Sequence, residues 1–89
     1  MINATLKLTR TADDGAERYR KYFLVADFAQ QRGHGKASII PMSVGAPMPE
    51  LDQLTVRGGE TEAMMAAIKA IKELPGNEGF VGEIDFEPS

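Results

Sequence analysis

The chain has 89 residues, 43% hydrophobic and 26% charged, with a net charge of −3 and no cysteine. That length supports one domain around a single small core, and the missing thiols exclude a disulfide framework, a thiolate nucleophile and a zinc–thiolate cluster. No stretch reaches the roughly 18–20 apolar residues of a membrane helix, and "MINATLKLTR" lacks the apolar run of a signal peptide.

The expectation is a cytoplasmic protein without membrane contact, with residues 1–89 forming one domain and no linker. Its charge is uneven: residues 1–42 carry seven Lys/Arg and four Asp/Glu, residues 43–89 three and nine. Such a polarity either steers an anionic partner to the first half or pairs across neighbouring strands.

In chain order, Ile2, Ala4, Leu6 and Leu8 alternate with Asn3, Thr5, Lys7 and Thr9, the period-two pattern of a strand with one wet face. Asp13-Asp14-Gly15 supplies turn chemistry. "RYRKYFLVADFAQ", 18–30, is rich in aromatic and β-branched residues and reads as a long second strand. Its alternation sends Arg18, Arg20 and Tyr22 to one face and Tyr19 and Lys21 to the other.

"QQRGHGKASII", 30–40, holds the single histidine and two glycines. A phosphate loop would need a glycine at position 30, a Ser or Thr at 37 and a helix after Lys36. Gln30, Ala37 and a strand-like run stand there instead. The stretch reads as a hairpin tip whose glycines relax the reversal, projecting Arg32, His34 and Lys36.

"ASIIPMSV", 37–44, reads as a third strand in which Pro41 calls for an edge position or a bulge. "GAPMPE" is a loop kept extended by Pro47 and Pro49, and "LDQLTVR" a short fourth strand. A helix starts at Glu60 or Thr61 and stops at Pro75-Gly76, with Met64, Ala67, Ile68 and Ile71 on one face. Glu62, Lys69 and Glu73 lie opposite. "FVGEIDFE" alternates again, with Phe80, Ile84 and Phe86 inward and Val81, Glu83, Asp85 and Glu87 outward.

The order β-β-β-β-α-β predicts an α+β fold: a mainly antiparallel sheet of four to five strands with one amphipathic helix packed on one face. A right-handed crossover through the helix would make its two flanking strands a parallel pair.

Chemical constellations are few. His34 has no sequence-evident partner to orient it, and Ser38 and Ser43 lie in no nucleophile-elbow pattern. One histidine without cysteine builds no typical zinc site. Glu83, Asp85 and Glu87 share a strand face, and their expected role is a solvated surface or a match to Lys7, Arg18, Arg20 or Lys21. At "VRGGETEA", Glu60 and Glu62 already answer the helix dipole. No catalytic residue, metal or cofactor is expected.

The expected function is that of a small non-catalytic interaction domain, contacting a protein partner or itself through a sheet edge or through a Pro/Met patch of Pro47, Met48, Pro49 and Met65. The alternative is single-stranded nucleic-acid binding through Arg18, Arg20, Tyr22, Arg32, His34 and Lys36.

Overall fold

Five strands and one helix follow from these patterns: β1 (Ile2–Thr11), β2 (Glu17–Phe28), β3 (His34–Pro41), β4 (Gln53–Arg57), α1 (Glu60–Lys72) and β5 (Val81–Glu87). The computed structural model describes residues 1–87; Pro88 and Ser89 of the expected domain lie outside the described residues. The strands form one sheet in the order β4-β3-β2-β1-β5. All four pairings are antiparallel, so the fold is α+β. The parallel pair that a crossover would have made does not form. β4 and β5 occupy opposite edges, and α1 carries the chain across the sheet rather than back beside its own strand.

The alternation read from the sequence sets the two faces. Ala4, Leu6 and Leu8 of β1, Tyr22, Leu24 and Ala26 of β2, and Ala37 and Ile39 of β3 are buried against Ala63, Met64, Ala67 and Ile71 of α1. Each large aliphatic side chain buried there contributes about 1.5–3 kcal/mol of transfer free energy. The opposite face carries Thr5, Lys7, Lys21 and Ser38 and has no covering layer among the described residues.

The β1–β2 turn closes with the Gly15 amide donating to the Ala12 carbonyl and the Ala16 amide to the Asp14 side chain. In the β2–β3 tip, Gly33 takes a φ of 76°, which glycine adopts without steric cost. Gly35 has a different role: it lies within β3, and a Cβ built on it would stand 1.9 Å from the Gly59 carbonyl oxygen. The tip is thereby stitched to the start of the helix, and the Gly58 amide donates to the Gly33 carbonyl at 2.7 Å. Gly59 caps α1, its amide donating to the Glu62 carboxylate at 2.8 Å.

Pro41 ends β3 beyond the reach of β4, which pairs only with His34–Ser38. The strand is interior in order, yet open on that side at its last residue, so no ladder donor is lost. Residues 42–52 then fold back over the helix side of the sheet. The Met42 amide donates to the Lys21 carbonyl, the Lys21 amide to the Ser43 hydroxyl, and the Tyr22 hydroxyl to the Pro47 carbonyl at 2.6 Å.

Candidate functional site

Five strands spaced about 4.8 Å apart span roughly 19 Å between the outer strand axes, whereas one helix is about 10–12 Å across. One helix therefore cannot cover the whole face. α1 lies over β2, β3 and β4 and reaches only the margin of β1. At its last turn the far end of the Lys72 side chain lies against Gly82 of β5, in the space a Cβ would need.

The strip left uncovered is apolar. Phe86 is 56% exposed on β5, and Met65 is 61% exposed on α1. Met65, Ile68 and Lys72 share a helix flank by their spacing, and Lys72 over Gly82 marks that flank as the one facing β5. The helix starts level with the chain start, where the Met1 amino group meets Glu60 at 2.9 Å. It ends level with Gly82, the partner of Leu8. With about 1.5 Å per helical residue and about 3.3 Å per strand residue, Met65 stands roughly level with the Ala4–Phe86 pair and Ile68 with the Leu6–Ile84 pair. Phe86 was expected to face inward, and it does point to the helix side. It stays exposed because the helix axis lies too far towards β4 to cover it.

β5 is also an edge of the sheet, with no strand on its far side among the described residues. Every second residue of such a strand turns its N–H and C=O outward, ready to pair. The other face of β5 presents Glu83, Asp85 and Glu87, in register with Lys7, Thr5 and Asn3. The face is solvated, and Lys7, directly across from Glu83, lines a shared hollow with Lys21, Glu83 and Asp85, although among the described residues no basic group comes within 4.0 Å of these carboxylates. Lys7 also sets its ammonium over the Tyr19 ring, 4.5 Å from the centroid. Arg18 and Arg20 project to the helix side. No three acidic or histidine side chains gather to hold a metal ion among the described residues; the carboxylates stand in a row along the strand.

Two groups elsewhere titrate above their ordinary range. The Met1 amino group is raised by its hydrogen bond to Glu60, and the Tyr19 phenol by its hydrogen bond to Glu17.

The residues read as a Pro/Met patch are not gathered into one. Pro47, Met48 and Pro49 are half-buried, and Met48 packs on the core. Pro47 lies against Gly76, past the helix C-terminus, whereas Met65 projects from the second helical turn. The loop is a lid on the core, and Met65 lies apart from it on the exposed side of α1.

The basic residues read as a nucleic-acid site are divided. Arg18 and Arg20 lie at one end of β2 and the tip bearing Arg32, His34 and Lys36 at the other, roughly 30 Å away at about 3.4 Å per residue. Tyr22 is fully buried and cannot stack on a base. Arg20 is committed internally: it donates to the Gly76 carbonyl and, at 2.6 Å, to the Asn77 side-chain oxygen, and its guanidinium lies over Phe80. At the tip, Arg32 and Lys36 are exposed, and His34 is half-buried with its Nδ1 3.1 Å from the Arg32 carbonyl. A shallow hollow of about 680 Å³ lies beside His34, Lys36, Gln30 and Gln31.

Asn77 is the structural residue that sequence reading missed. It is 3% exposed, and its amide donates to the Ile71 carbonyl at 2.9 Å and to the Tyr22 hydroxyl at 3.3 Å. It ties the end of the helix to β2. The only signal was an asparagine in a "PGNEG" turn, which is common in any loop.

These features define a two-layer α+β domain with an open, acidic edge strand beside an apolar strip. Comparison with protein-family models, with curated proteins and with solved structures returns no match.

Proposed function

We propose that this chain is a small protein-interaction domain that engages a partner through its β5 edge. The observation that carries this reading is the coincidence, on one strand, of an open backbone edge with the exposed Phe86. Backbone pairing at an edge supplies affinity, and flanking apolar side chains supply contact area. Support falls on the edge rather than on the Pro/Met loop, whose prolines and Met48 are half-buried. The nucleic-acid alternative has less support, because its basic residues lie at two ends of β2 and Tyr22 is in the core.

Selection of random peptides against the immobilised domain tests this function. Selected peptides are expected to lose about tenfold or more in affinity for Phe86→Ser, equivalent to about 1.4 kcal/mol. They should keep their affinity for Phe28→Ser, since Phe28 is comparably exposed, at 67%, but sits at the end of the central strand β2 beside the helix start, away from β5. Peptides indifferent to Phe86→Ser, or no binders at all, would overturn the proposal.

A further inference from the structure

Resting on the edge reading, we infer that β5 selects an extended protein segment whose residues alternate between apolar and basic, and that it rejects a second copy of itself. β1 already shows the pattern that β5 accepts. It presents Ala4 and Leu6 opposite Phe86 and Ile84 on the helix side, and Lys7 opposite Glu83 on the other. The far side of β5 offers a second segment the same two faces.

Glu83, Asp85 and Glu87 carry three charges along one face, with no cation within 4.0 Å among the described residues. Lys7 and Lys21 line a hollow with Glu83 and Asp85 from the β1 side, and the far side of β5 has no strand among the described residues. An incoming strand with Lys or Arg at alternate positions meets these carboxylates as cross-strand neighbours, while its apolar positions meet Ile84 and Phe86.

Self-pairing fails on the same face. Two copies of β5 related by a two-fold axis run antiparallel and keep like faces together. Centring the pair on Ile84 sets Glu83 against Asp85 of the second copy. Centring it on Asp85 sets that residue against itself and Glu83 against Glu87, and centring it on Glu83 opposes two Glu83 side chains. Each central register therefore opposes carboxylates directly, which is destabilising. The charges that protect the edge from its own kind select a basic partner.

The test uses the full chain and two synthetic nine-residue peptides, one alternating valine with lysine and the other valine with glutamate. The lysine peptide is expected to bind about tenfold or more tightly at low salt, with the advantage shrinking as salt rises. Hydrogen exchange at β5 amides should slow in the complex, a change that loose electrostatic adhesion does not produce. Asp85→Lys should narrow the preference, and Glu83→Lys/Asp85→Lys/Glu87→Lys should reverse it. Unbound wild-type chain should remain monomeric at the titration concentrations. Equal binding of both peptides with β5 amides protected would overturn the basic preference and leave the edge reading standing. Binding of either peptide without protection of β5, or of neither, would overturn both. A wild-type dimer with β5 amides protected would overturn the rejection of self-pairing.

Discussion

Gly35 and Gly59 meet backbone to backbone where the β2–β3 tip passes the start of α1. A methyl group at Gly35 would sit 1.9 Å from a main-chain oxygen and 3.1 Å from the Ala63 Cβ, and no rotamer change relieves a clash with backbone. Gly35→Ala is therefore expected to destabilise the fold by about 2–3 kcal/mol, the cost of overpacking a tight site, as measured by urea unfolding. A change under about 0.5 kcal/mol would mean that the two segments separate freely. Asn77 acts differently, by satisfying the Ile71 carbonyl and the Tyr22 hydroxyl inside the core while accepting from Arg20. Asn77→Ala should cost about 1–3 kcal/mol, the penalty for unsatisfied buried polar groups. Arg20→Met and Asn77→Ala should be non-additive in a double-mutant cycle, because they remove one shared network. The lone histidine and its glycines are legible in sequence as a turn. That the second glycine serves a contact 24 residues further along the chain is not, since only the meeting with Gly59 creates the demand.

At the level of elements, helix and edge strand make opposite demands on similar residues. Ile71 is fully buried and Phe86 is 56% exposed, although each lies on the apolar side of its element. Ile71→Ala is expected to cost about 2–5 kcal/mol, as for a large core truncation. Phe86→Ser should stay within about 0.5–1 kcal/mol, as befits a surface site. Equal losses in thermal unfolding would show that Phe86 is covered after all. The period-two pattern of "FVGEIDFE" made the β5 faces legible, including the row of carboxylates. It held no information on lateral position in the sheet. Phe86 reads as core in the sequence because a strand's inward face is covered only where a helix lies above it.

For the whole molecule, strand order decides shape and charge together. The chain measures 49 × 28 × 18 Å with a radius of gyration of 13.5 Å, above the about 12 Å of a compact chain this long. The elongation runs with the long β1–β2 hairpin. Solution scattering should return the dimensions of this monomer; dimerisation through β5 would produce a continuous ten-stranded sheet and a much wider particle. The sequence by itself determined the elements and their two faces, because alternation and helical spacing are local properties of neighbouring residues. It also determined the charge row on β5 and the absence of thiol chemistry. Only the tertiary structure decided that β5 is an edge, that α1 lies away from it, and that Lys7 stands across from Glu83 with its ammonium over Tyr19. These facts depend on pairings between residues as far apart as Lys7 and Glu83. No local pattern encodes which strand will lie beside which, so the apolar strip and its flanking row of carboxylates arise only when the sheet is assembled.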